Sequence, residues 1–247
     1  MKDLTTRLID CAADSFPMHG PVYEFGFSSA EAANARSSDN DAQDDDVVGS
    51  ARIDRLEDLG QLPFPDAKAR TVICENALQY VFEPPRAIAE MTRILAPGGL
   101  LVVVTSTHER ATGANRYWTP SPGAMGRLLS GFSGTLVGWI GPDAMPHTVF
   151  GIACKSPLRA EFAQGVQPFL DRLDRRLATA ASRIGVFQSL KRRLVEWTCT
   201  SGQPYPRQDD YRAQYALHLP VDEQSRSALM ESCLSPTKAG TRLDLSE

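Results

Sequence analysis

The sequence is poor in the features that mark several large classes of protein. Its five cysteines, Cys11, Cys74, Cys154, Cys199 and Cys233, lie far apart and include no Cys-x-x-Cys pair. That excludes a zinc ribbon and gives no sign of a disulfide framework. No metal site is expected: Asp44, Asp45 and Asp46 read as a solvated loop, because adjacent carboxylates rarely converge on one ion without other ligands. No apolar run approaches the roughly 18–20 residues that span a bilayer. Basic residues are not in excess, with 26 Lys and Arg against 30 Asp and Glu, so the chain lacks the footprint of a nucleic-acid binder. G-x-G-x-x-G is absent, which removes the usual dinucleotide fingerprint. The N-terminal stretch MKDLTTRLIDCAADSF lacks the basic-then-apolar layout of a signal peptide, so a cytoplasmic location is the expectation.

What is present is ordinary globular material, 247 residues with 42% hydrophobic and 23% charged. Leu4, Leu8, Ile9 and Ala12 suggest a short amphipathic helix or arm within residues 1–20. Residues 20–27 read as a strand closed by Gly26, and residues 28–46 as a polar, acidic loop. A second strand is expected from Val47 and a third at Thr71–Cys74, with Cys74 and Cys154 as buried thiols. Ile88, Met91, Ile94 and Leu95 recur at spacings of three and four after Pro84-Pro85, which predicts a helix over 83–95 stopped by Pro97-Gly98-Gly99. Leu100–Thr105 is apolar throughout, as a central parallel strand is. A helix near Ala124–Leu129 and strands at Thr135–Ile140 and Thr148–Cys154 complete the series. The expected fold is α/β: a Rossmann-like, mostly parallel sheet with an antiparallel last strand and helices on both faces.

Residues 1–156 would form this domain. Residues 157–247 would be a helical extension, one long helix or two broken near Gly185, with an irregular tail from residue 200. Arg172, Arg175, Arg176, Arg183, Lys191, Arg192 and Arg193 give the stretch 172–193 a basic face. A solvated helix face is the plain reading; a surface for an anionic partner is the alternative.

Three linked motifs carry a family resemblance. They are Asp58 with Leu62-Pro63-Phe64-Pro65-Asp66, then Leu78-Gln79-Tyr80-Val81, then Leu95-Ala96-Pro97-Gly98-Gly99-Leu100. In kind and separation they resemble the class I S-adenosylmethionine-dependent methyltransferases, the small-molecule group often called type 11. Residues 116–129 and 146–155 resemble further pieces, so the likeness runs over about residues 20–156. It implies S-adenosylmethionine as cofactor and methyl transfer to a small-molecule or glycan-like acceptor. It also implies that the Asp58 carboxylate accepts from the adenine amino group and that Leu59 offers its backbone amide to the ring. Glu75 and Asn76 would hold the cofactor ammonium or orient the acceptor. Glu24 and Gly26 join them as what remains of the glycine motif E/D-x-G-x-G-x-G, which here runs Glu24-Phe25-Gly26-Phe27-Ser28-Ser29-Ala30. The family's acidic end to the second strand is Ser50 here, and its L-x-H-V histidine is Tyr80. His108, after the fifth strand, and His147, at the hairpin, are the candidate general bases. Tyr117 and Trp118 would wall the acceptor pocket. The competing reading is a catalytically inactive methyltransferase-like interaction module that acts through its basic helix.

Overall fold

A computed structural model of the chain describes residues 2–26, 59–106, 116–141, 146–195 and 213–218. Asp58, His108, Phe27, Ser28, Ser50, the acidic loop and the strand expected from Val47 lie outside the described residues, as do the side chains of Arg183, Lys191, Arg192 and Arg193.

The elements are α1 (Lys2–Ala13), β1 (Val22–Gly26), β2 (Ala69–Glu75), a 3-10 turn (Leu78–Tyr80), α2 (Pro84–Ile94), β3 (Leu95–Ser106), α3 (Pro122–Leu128), β4 (Gly134–Ile140), β5 (Thr148–Cys154), α4 (Ala160–Val195) and β6 (Ala213–His218). They build one six-stranded sheet in the order β1-β2-β3-β5-β4-β6. Strands β1, β2 and β3 run parallel. Strand β5 enters antiparallel between β3 and β4, and β6 adds a second antiparallel strand beyond β4. This is a Rossmann-like architecture.

Alternation along the strands divides the core in two. Val72, Cys74, Leu101 and Val103 face α2 and α3, while Ile73, Leu100, Val102 and Val104 face α1 and α4. Helix α2 buries Ala87, Ile88, Met91 and Ile94, the spacing its sequence carries, and begins on two prolines whose missing N–H groups cost nothing there. It ends one residue short of the expected limit. Leu95 is already extended, and Pro97-Gly98-Gly99 forms an irregularity in β3, between the pairings Ala69–Leu95 and Thr71–Leu100. The Lys155 ammonium closes the helix by donating to the carbonyls of Thr92, at 2.6 Å, and Leu95. Helix α3 is capped by Ser121, whose hydroxyl accepts from the Ala124 N–H at 3.1 Å.

Two expectations for the C-terminal region need correction or choice. Helix α4 is continuous over 36 residues, through both Pro168 and Gly185, so there is no break. Residues 213–218, expected within an irregular tail, are instead a strand, because the free edge of β4 offers a ladder for them. No helix among the described residues is long and apolar enough to cross a membrane.

Candidate active site at the carboxyl edge of the sheet

In an open α/β sheet the ligand crevice lies outside the carboxyl ends of the strands. Here those ends are in register: Gly26 pairs with Glu75, and Glu75 with Val104. Gly26 has φ +128°, and a Cβ on it would stand 1.7 Å from the carbonyl oxygen of Glu75. No side chain fits, so the one glycine kept from the motif is required by the approach of β1 to β2 themselves.

Beyond Glu75 the chain turns through Asn76 at φ +51°, a left-handed conformation that asparagine tolerates. The Asn76 N–H donates to the Val104 carbonyl and its Oδ1 accepts from the Ser106 N–H, both at 2.8 Å. Asn76 therefore locks the ends of β2 and β3 together. Glu75 and Ile73 share the face covered by α1, and Glu24, paired with Ile73, lies on it too. The Thr5 hydroxyl of α1 donates to Glu75 Oε1 at 2.6 Å, fixing a carboxyl group that is 2% exposed. Two glutamates thus stand on one face of the rim.

The turn that follows is buried at Leu78, Gln79 and Tyr80. Gln79 is fully buried, yet neither its amide nitrogen nor its amide oxygen meets a hydrogen-bond partner among the described residues. The same is true of the Ser106 hydroxyl. Buried polar atoms left so cost about 1–3 kcal/mol each, and a ligand group at the rim would repay that cost.

Segment 116–120 is strapped to this turn. The Tyr117 N–H donates to the Gln79 carbonyl at 2.9 Å, and Trp118 Nε1 donates to the Leu78 carbonyl. Beside the strap opens a groove of about 760 Å³ walled by Phe82, Pro84, Pro85, Tyr117, Trp118 and Arg127. Phe82 is 78% exposed and meets Tyr117 edge-on at 5.6 Å, an apolar pair left facing solvent.

His147 stands just before β5, its N–H donating to the Ile140 carbonyl at 2.7 Å. Because β5 pairs Thr148 with Ser106, His147 lies on the same edge as Glu75 and Asn76. Leu59 is fully buried in the core with Leu62 and Leu78. Cys74, next to Glu75, offers no nucleophile, since burial pushes its thiol up to about 12. No group of His, Cys, Asp and Glu among the described residues is placed to hold a metal ion.

The structure thus gathers Glu24, Gly26, Glu75, Asn76 and His147 along one edge, while Asp58 and His108 lie outside the described residues. Thr5, Gln79, Ser106 and Phe82 were not singled out from sequence. Gln79 stands within the Leu78–Val81 motif, whose departure from the family pattern is at Tyr80. Nothing near Thr5 in the sequence announces a partner 70 positions away.

Residues 12–103 match the family model described as "Methyltransferase domain". No curated protein matches the chain. Among solved structures, a SAM-dependent methyltransferase from Thermotoga maritima is 18% identical, covering 62% of this chain and 89% of its own, with a TM-score of 0.40. The [4+2]-cyclase SpnF is 19% identical over 72% of this chain and 68% of its own, with a TM-score of 0.40. An S-adenosylmethionine-dependent methyltransferase from Mesorhizobium loti is 18% identical over 60% of this chain and 98% of its own, with a TM-score of 0.38.

Proposed function

We propose that the chain, whose residues 12–103 match the methyltransferase-domain model, transfers a methyl group from S-adenosylmethionine to a small-molecule or glycan-like acceptor. The observation that carries this reading is the rim, where Glu24 and Glu75 share one face beside the closely apposed Gly26 and the buried, unsatisfied Gln79. That donor set suits a cationic, amino-acid-bearing ligand. The cofactor, when bound, supplies a methyl group already activated on a sulfonium.

The protein's part is mainly to position. Glu75, steadied by Thr5, and Glu24 attract the ammonium end. Gln79 and Ser106 supply further polar contacts, and Asn76 keeps the two strand ends at fixed separation. Asp58 accepts from the adenine amino group, and Leu59 offers its backbone N–H. Phe82, Tyr117 and Trp118 form the acceptor wall, giving apolar surface and ring faces for stacking. His147, with His108 as the second candidate, takes the proton that an oxygen or nitrogen acceptor loses. The three described cysteines hold free thiols, which suits a reducing cytoplasm.

Calorimetric titration with S-adenosylhomocysteine tests the reading. Binding is expected with a dissociation constant in the range of about 1 µM to 1 mM, weakened at least about tenfold by Glu75→Gln. No heat and no thermal shift with either S-adenosylhomocysteine or S-adenosylmethionine would overturn it and leave the inactive interaction module in its place.

A further inference from the structure

We propose that the amino edge of the sheet, opposite the rim, is a second binding site, for a small organic anion with an apolar body such as an aromatic or branched carboxylate. A cavity of about 220 Å³ opens there between the turn after α1, the starts of β2 and β3, the end of β5 and the first turn of α4. Its floor is carbon and sulfur, from the buried Phe16, Leu100, Cys154 and Phe162. Its charged wall residues are Arg70, Arg159 and Glu161.

The two arginines differ from three others on this molecule. Arg86, Arg93 and Arg176 each face a carboxylate within 4.0 Å. Neither the Arg70 nor the Arg159 guanidinium has a carboxylate within that distance among the described residues. Two guanidinium groups without ion pairs, set against the single carboxylate of Glu161, leave a net positive charge over an apolar floor. A carboxylate answers both requirements, since guanidinium matches its geometry with two parallel hydrogen bonds.

Arg159 is also held in place. Gly98 sits at φ +71°, and a Cβ on it would come 2.5 Å from Arg159 Nε, so the side chain lies directly against the backbone of the β3 irregularity. The Gly98 N–H donates to the carbonyls of Lys155 and Ser156, at 3.1 and 3.2 Å, which ties that backbone to the segment leading into α4. The glycines of this motif thus shape a cavity wall as well as a turn.

Size restricts the occupant. Pockets for drug-sized ligands run from roughly 300 to 1,000 Å³, so this one accepts a single ring or a short branched chain and no nucleoside. It is separate from the rim: β2 has seven residues, so its two ends lie about 20 Å apart at roughly 3.3 Å per residue.

Titration of the full chain with benzoate is the test, with benzamidine and inorganic phosphate as comparison probes. Benzoate is expected to bind one per chain. Affinity falls at least tenfold in Arg159→Gln and in Arg70→Gln, and rises in Glu161→Gln, which removes the acidic side chain on the cavity wall. Benzamidine, the same ring with the opposite charge, is expected not to bind. Arg70 is exposed, so Arg70→Gln keeps the test open should Arg159→Gln fail to fold. Absence of benzoate binding, binding untouched by the arginine substitutions, or phosphate binding as tightly as benzoate would each overturn the proposal.

Discussion

A single methyl group decides the environment of residue 26. Alanine there would have to keep φ near +128° with its Cβ 1.7 Å from the Glu75 oxygen, so β1 must separate from β2. Gly26→Ala is expected to cost about 3 kcal/mol or more in urea denaturation, since strain and lost strand pairing both enter. Stability within about 0.5 kcal/mol of the parent would show that the strand ends are further apart than described. Gln79 offers the opposite experiment. Replacing a buried, unsatisfied carboxamide by leucine removes two costly polar atoms, so Gln79→Leu is expected to leave stability unchanged or raise it by about 1 kcal/mol. Affinity for S-adenosylhomocysteine should still fall about tenfold if the carboxamide serves the ligand, which corresponds to one charge-assisted hydrogen bond of about 1.4 kcal/mol. A variant equal to the parent in affinity would remove Gln79 from the site.

Between elements, Arg93 joins α2 to the LPFPD loop. Its guanidinium donates to Glu90, to Asp66 and to the carbonyls of Leu62 and Phe64, while Glu90 accepts from the Leu62 N–H at 2.9 Å. The loop that follows Asp58 in sequence is therefore anchored by a helix 30 residues later. The hydrogen bonds from Arg93 hold the Glu90 carboxyl below its ordinary value, against the opposing effect of burial. A carboxyl depressed in the folded state contributes stability above its unfolded value near 4.5, and that contribution is lost as pH falls through the folded value. Glu90→Gln is accordingly expected to melt below the parent at neutral pH, with the gap closing as pH falls below about 4.5. A gap constant with pH would mean that the pair does not couple to folding.

Across the whole molecule, what sequence made legible was local. Helix α2, the Pro-Gly-Gly junction, β3 and the closing β4–β5 hairpin each follow from spacing or turn chemistry within a few residues. The bond from Thr5 to Glu75 and the pairing of β6 with β4 were hidden because each joins residues 70 or more apart. The continuity of α4 was hidden because Pro168 and Gly185 argue locally against it. Packing overrides Pro168: Phe162, Val166, Phe169, Leu170, Leu173 and Leu177 are all buried against α1 and the sheet, and Phe169 meets both Phe16 and Phe150 within 6 Å. At roughly 1.5–3 kcal/mol for each such side chain, that face supplies about 9–18 kcal/mol, comparable with the whole stability of an ordinary domain. The first half of α4 is thus packed into the core on this face of the sheet. A chain ending at residue 156 is expected to bind a hydrophobic dye, to aggregate and to show no cooperative thermal transition, while Phe169→Ala in the full chain lowers stability by about 3–5 kcal/mol. A soluble 1–156 fragment that melts cooperatively would show instead that α1 and the sheet suffice, and that α4 is a removable cover.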